Sequence, residues 1–176
     1  MNQSEKRLFL IRSLLQEHPE YQDLSIPAEP ESQRQLLRGL MNIRAPQNAN
    51  ADFLKMQDEY LQGETAAKGI TDVADLTPVQ PGVYLWQGDI TTLKCDAIVN
   101  AANSGMTGCY IPNHRCIDNA IHTFAGVELR LACAELMEQQ GYPEPTGQAK
   151  ITPAFNLPCR YVLHTVGPII SGRVTK

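Results

Sequence analysis

A run of turn-forming residues, Thr77-Pro-Val-Gln-Pro-Gly82, divides this chain into two stretches whose apolar residues recur with different periods. Before it the period is helical. Leu8, Ile11 and Leu15 share one face after Ser4, which reads as an N-cap, and His18-Pro19 stops that pattern. A second helix is expected from about Glu31, with Leu36, Leu37, Leu40 and Met41 on one face, ending before Pro46. A third is expected from Asn50, burying Phe53, Leu54, Tyr60 and Leu61 and closing at Lys68-Gly69.

After the turn run the texture becomes strand, turn, strand, helix, strand, strand, which is how an α/β domain reads. Residues 83–86 form one short apolar run, and 97–99 form another, continuous enough to predict a strand buried on both faces. A helix is expected to start at Ile117 or Asp118. Another is expected over 126–140, with Leu129, Ala132, Cys133 and Leu136 inward and Gly141 as its stop. Residues 150–153 and 160–166 complete the pattern as two further strands. The expected fold class is therefore α/β, a mixed sheet flanked by helices over 83–176, preceded by an all-helical N-terminal extension over 1–82.

With 176 residues the chain has room for one ordinary domain and an appendage. Its longest apolar run near the start, Leu8 to Ile11, is too short for a signal peptide or a membrane span, so the expected location is the cytoplasm and no membrane partner is expected. A net charge of -4 and no basic stripe argue against a nucleic-acid partner held by phosphate neutralisation. An anionic ligand would have to be held by local geometry. Five cysteines, an odd number without a secretion signal, point to reduced thiols or metal ligation rather than to a disulfide framework.

Cysteine spacing singles out Cys109-Tyr-Ile-Pro-Asn-His114-Arg-Cys116, in a loop marked by Gly105, Gly108 and Pro112. Two thiolates and one imidazole suit Zn2+, and three protein ligands leave a coordination position for water or substrate. The same residues read equally as a loop with two free thiols and a solvated histidine. A structural site completed by a fourth ligand is a third reading, with His122 the nearest extra candidate.

A second signal is Gly88-Asp89-Ile90-Thr91, followed by Ala97-Ile-Val-Asn-Ala-Ala-Asn103 at the end of the next strand. Small residues at a strand end let a ligand approach the backbone, while Asp and Asn can read sugar hydroxyls and base edges. In α/β sheets, ligands bind at those carboxyl ends. Each motif alone reads as an ordinary turn or strand cap. Their order is the more specific feature.

In that order, Trp86-Gln-Gly-Asp-Ile-Thr91, Cys95-Asp-Ala-Ile-Val-Asn-Ala-Ala-Asn103 and His164-Thr-Val-Gly-Pro168 resemble the macrodomain signature. The Cys109/His114/Cys116 loop narrows the resemblance to the zinc-dependent macrodomains, bacterial protein-ADP-ribose hydrolases associated with sirtuin-type ADP-ribosyltransferases and lipoyl-carrier proteins. The resemblance implies that Asp89 and Ile90 meet the adenine end of ADP-ribose, that Asn103 meets the distal ribose, and that Cys109, His114 and Cys116 hold zinc beside it. It places Cys116, Ile117 and Asp118 at the diphosphate and distal sugar, which agrees independently with a helix N-terminus there, since free N–H groups and the positive dipole end favour phosphate. Asn103 and Asp118 are the candidate catalytic pair. Asp118 also reads simply as a carboxylate stabilised by that dipole.

Macrodomains continue beyond the His-Thr-Val-Gly-Pro strand with a helix, a strand and a glycine-rich diphosphate loop, whereas this sequence ends with Ile169-Ile-Ser-Gly-Arg-Val-Thr-Lys176. The resemblance thus implies a C-terminally truncated cradle and little hydrolysis by these residues alone. The expected activity of the lineage is zinc-dependent removal of mono-ADP-ribose from protein side chains, with a carboxylate ester the favoured linkage and ADP-ribosylated protein, a lipoyl-carrier protein among them, as partner. The alternatives are a non-catalytic ADP-ribose reader, which needs no open metal site, and an inactive gene fragment.

Overall fold

The structure, a computed structural model, describes residues 1–21, 23–170 and 172; the remaining end of the 83–176 stretch lies outside the described residues. Three helices come first: α1 (Gln3–Gln16), α2 (Pro30–Ile43) and α3 (Ala51–Lys68). Asn2, not Ser4, caps α1. Its side chain accepts from Glu5 N at 2.9 Å while Glu5 Oε2 accepts from Asn2 N at 2.8 Å, a reciprocal arrangement that satisfies two end donors and that Ser4, already inside the first turn, does not provide. Asn50 caps α3 as expected, and Pro30 opens α2 where its missing N–H has no cost. The faces Leu10/Ile11/Leu14, Leu37/Leu40/Met41 and Phe53/Tyr60/Leu61 close on one another in a single apolar cluster.

Four short strands follow: β1 (Thr71–Asp72), β2 (Pro78–Gln80), β3 (Val83–Tyr84) and β4 (Leu93–Lys94). β1 pairs parallel with β4, and β2 pairs antiparallel with β3, so the turn run is itself one arm of a hairpin. The strand expected over 83–86 shortens to β3, with Leu85 83% exposed, because among the described residues β3 has only β2 as a neighbour.

The remaining elements are β5 (Ala97–Ala102), α4 (Ile117–Ala125), α5 (Val127–Gln140), β6 (Ala149–Pro153) and β7 (Tyr161–Val166). The sheet order is β5-β7-β6, with β5 parallel and β6 antiparallel to the central β7. This is the mixed α/β arrangement expected. Helices α4 and α5 cross one face and bury Ile98 and Val162 against Ile121, Leu129 and Cys133. Val127, at the start of α5, joins the cluster of α1–α3 and ties the two cores together.

The expectation of burial on both faces of 97–99 is corrected. Burial alternates along β5, and Val99 is 55% exposed. Val99 pairs in register with Leu163, and Leu163 with Ile151, so an apolar row crosses all three strands. Among the described residues no helix covers this face. A continuous apolar run fits single- or double-face burial equally well.

Candidate functional site

Strand β5 carries Asn100 inward and delivers Asn103 just beyond its carboxyl end. Helix α4 starts opposite, with Cys116 as N-cap and Asp118 in its first turn. Asp118 is 4% exposed; its Oδ1 accepts from Asn100 Nδ2 at 2.8 Å and its Oδ2 faces Asn103 Nδ2 at 3.4 Å. The two candidate catalytic residues therefore meet. Burial pushes the Asp118 carboxyl above the usual carboxylate range, opposed by the Asn100 hydrogen bond and the distant Arg130 charge. Asn103 is itself held: its amide donates to Gly108 O at 3.1 Å and its carbonyl oxygen accepts from Gly105 N at 2.9 Å.

Behind Asp118 lies a buried polar network. Asn100 Nδ2 also reaches His164 Nδ1 at 3.0 Å, so His164 carries its proton on Nε2 and donates to Thr152 Oγ1 at 3.0 Å. His122 Nε2 stands 3.6 Å from Asp118 Oδ1, too far for a hydrogen bond. Burial, with Arg130 and His164 nearby, pushes His122 down to about 3, so this contact is between a neutral imidazole and a carboxyl rather than an ion pair. Gly108 is packed onto the same ring: at φ +85°, a Cβ there would lie 2.8 Å from it.

Cys109, His114 and Cys116 come together as expected, with one donor atom from each lying within 4.8 Å of the others and Cys109 Sγ 3.6 Å from His114 Nδ1. Two sulfurs and an imidazole suit zinc by donor chemistry. Burial and the adjacent Cys109 sulfur push the Cys116 thiol up, against a hydrogen bond from Asn119 N. His122 is not a fourth member; it groups with Cys133 and His164 inside the core. All five cysteines are free.

At the start of α4 the N–H groups of Ile117 and Asp118 have no intrahelical acceptor, whereas that of Asn119 meets Cys116 Sγ at 3.4 Å. Asp89 and Ile90 open a 3-10 turn under the same helix. Asp89 Oδ1 accepts from Thr91 N at 3.0 Å and Oδ2 pairs with Lys68 Nζ at 3.1 Å, while Ile90 packs against the cluster of Ile98 and Ile121.

Four residues at the site have no counterpart in the sequence reading. Asn100, fully buried in an apolar strand, carried a signal: a polar side chain at an inward position needs partners. Arg38, Asn119 and Arg130 carried none, because their partners, the Asn119 side chain for Arg38 and backbone carbonyls for Asn119 and Arg130, follow no sequence period. Arg130 donates to Thr107 O at 2.8 Å and to Met41 O, Asn42 O and Arg44 O at 3.3, 2.7 and 2.6 Å.

A sequence profile described as "Macro domain" matches residues 99–176. A protein-ADP-ribose hydrolase of Treponema medium is 62% identical over 179 residues, covering 99% of this chain and 69% of the relative. One from Staphylococcus aureus (strain MRSA252) is 47% identical over 163 residues, covering 92% and 61%. The solved Trypanosoma brucei macrodomain in complex with ADP superposes with a TM-score of 0.50 at 28% identity, covering 76% of this chain and 60% of that one. This chain thus spans about two thirds of the length of the curated relatives it matches. Long matches at that identity, together with the Macro domain match, show that the chain belongs to the macrodomain family.

Proposed function

We propose that this chain belongs to a zinc-dependent hydrolase that removes mono-ADP-ribose from modified protein side chains, with a carboxylate ester as the linkage cut. The observation that carries the reading is the meeting of the Asn103/Asp118 pair with the Cys109/His114/Cys116 cluster at the start of α4. A reader of ADP-ribose would use the pair without needing three metal donors beside it. The names of the Treponema and Staphylococcus relatives support the hydrolase.

In this reading Asp89 and Ile90 hold the adenine end, and the N–H groups of Ile117 and Asp118 face the diphosphate. Asn103 orients the distal ribose. Asp118, its basicity raised by burial, takes a proton from the attacking water as the water oxygen bonds to C1″ and the bond from C1″ to the carboxylate oxygen breaks. The products are ADP-ribose and the free side-chain carboxylate. Cys109, His114 and Cys116 would hold zinc, which supplies Lewis acidity beside a ribose hydroxyl or water. The modified protein, a lipoyl-carrier protein by family association, is met in the cytoplasm, where free thiols persist; no described helix is long and apolar enough to cross a membrane.

Calorimetry with ADP-ribose, together with mass-spectrometric release of ADP-ribose from a mono-ADP-ribosylated protein, tests the reading. Binding and a slow release that Asn103→Ala abolishes are expected. Binding without release from the wild type would favour the reader, and neither binding nor release would favour the inactive fragment; either result overturns the hydrolase.

A further inference from the structure

The loop carrying Cys109, His114 and Cys116 is irregular, and an open three-ligand metal site needs its donors held before the ion arrives. One buried side chain reaches most of that loop. Asn119, fully buried, donates through Nδ2 to Cys109 O at 3.3 Å and to Ile111 O at 3.0 Å, while its backbone N–H meets Cys116 Sγ at 3.4 Å. Its remaining acceptor, Oδ1, is engaged from outside the α/β unit. Arg38, on α2, donates to it through Nε at 3.2 Å and Nη2 at 2.8 Å, and the same Nη2 reaches His114 O at 3.0 Å.

Each of the three metal-donor residues is therefore touched by this pair: Cys109 at its carbonyl, Cys116 at its sulfur, His114 at its carbonyl. A neighbouring contact of α2 follows the same line: Asn42 Oδ1 accepts from Asn113 N at 2.9 Å.

We infer that Arg38 and Asn119 are positioning residues for the metal centre, so that α2 of the helical extension sets how tightly the Cys109/His114/Cys116 loop holds its ion. The inference rests on the reading that these three residues bind zinc. The planar guanidinium fork makes the arrangement specific. It spans the Asn119 carbonyl and the His114 carbonyl at once, which a lysine ammonium on its flexible stem does less well. Fixing the Asn119 amide by Arg38 also fixes which way round it points, and only one orientation presents Nδ2 to Cys109 O and Ile111 O.

The test measures zinc affinity of the full chain by competition with a chromogenic chelator, alongside the ligand-field spectrum of the cobalt(II)-loaded protein. Arg38→Met is expected to weaken zinc binding about 10–100-fold, the usual scale for losing support behind a metal ligand, and to shift the cobalt bands. Arg38→Lys should recover part of the affinity. Asn119→Asp keeps the acceptor for Arg38 but turns an oxygen toward the two loop carbonyls, so it should weaken binding at least as much. If the wild type takes up one zinc and both Arg38→Met and Asn119→Asp match its affinity and cobalt spectrum, the inference is overturned while the zinc reading stands. A wild-type chain that takes up no zinc overturns both. If every variant loses affinity only in proportion to the thermal stability of its metal-free form, with an unshifted cobalt spectrum, the role is general packing and the inference falls.

Discussion

At the residue scale, the proposed chemistry would divide between groups that meet the reacting sugar and groups that meet the base. Asn103 touches Asp118 and is pinned by Gly105 and Gly108, so removing its side chain disturbs the place where the bond is cut. Asn103→Ala is expected to lower kcat on the order of a hundredfold with a smaller effect on ADP-ribose affinity, because orientation counts most in the transition state. Asp89→Ala should do the reverse, since its carboxylate bonds to Lys68 and Thr91 and, in the proposed reading, meets the adenine end. Steady-state kinetics beside calorimetry separates the two, and an unchanged kcat for Asn103→Ala would remove Asn103 from the reaction. Motif order and the resemblance it carries singled these residues out in the sequence, and the structure brings Asn103 and Asp118 together. The Asn100–His164 contact behind them was not legible there, since pairing Asn100 with His164 depends on the parallel register of β5 and β7.

At the element scale, the joint between α2 and the rest of the chain hangs on Arg130. This side chain, 4% exposed on α5, donates to the last carbonyls of α2 and to Thr107 O, and stacks over the Tyr110 ring with 4.1 Å to its centroid. Arg130→Met fills similar space but leaves buried carbonyls without donors, so chemical denaturation should show a loss of at least about 3 kcal/mol. A loss within experimental error would mean that the joint is held by the apolar contacts of Val127 instead. Helix extents were largely legible: α2, α3 and α4 begin within about a residue of the expected starts at Glu31, Asn50 and Ile117 or Asp118. The face that α5 buries was less so. Its sequence suggested Ala132 and Leu136 inward, yet both are only half-buried, while Arg130 is enclosed because α2 offers it carbonyls that no periodicity reveals.

At the scale of the whole molecule, two features follow from what the core encloses and what it leaves open. Burial holds His122 down to about 3 and His164 down to about 4, whereas the unfolded chain takes up protons on both near pH 6.5. Between those values the unfolded state binds more protons. Stability should therefore fall as pH drops below about 6.5, by up to about 1.4 kcal/mol per pH unit for each histidine. Asp118, with its pKa raised, works in the opposite direction and offsets part of the loss. Denaturation at a series of pH values checks this, and a stability unchanged between pH 7 and pH 5 would contradict the buried neutral histidines. The sheet face that no described helix covers, with Val99, Leu163 and Ile151 in one row, should make the chain self-associate as its concentration rises. Sedimentation of Leu163→Lys should then show a smaller species than the wild type with the fold retained. The one-sided burial of β5 was not legible because an apolar run does not say how many layers will cover it. The Cys109/His114/Cys116 loop was legible as a set of candidate donors, whereas its contacts with Arg38 of α2 and with Asn119 of α4 join residues too far apart in sequence to be read there. The most direct test of the account is therefore native mass spectrometry with elemental analysis of the purified chain. It should carry one zinc, retained in Cys133→Ser and lost in the Cys109→Ser/Cys116→Ser double variant; full zinc occupancy in that double variant would contradict the account.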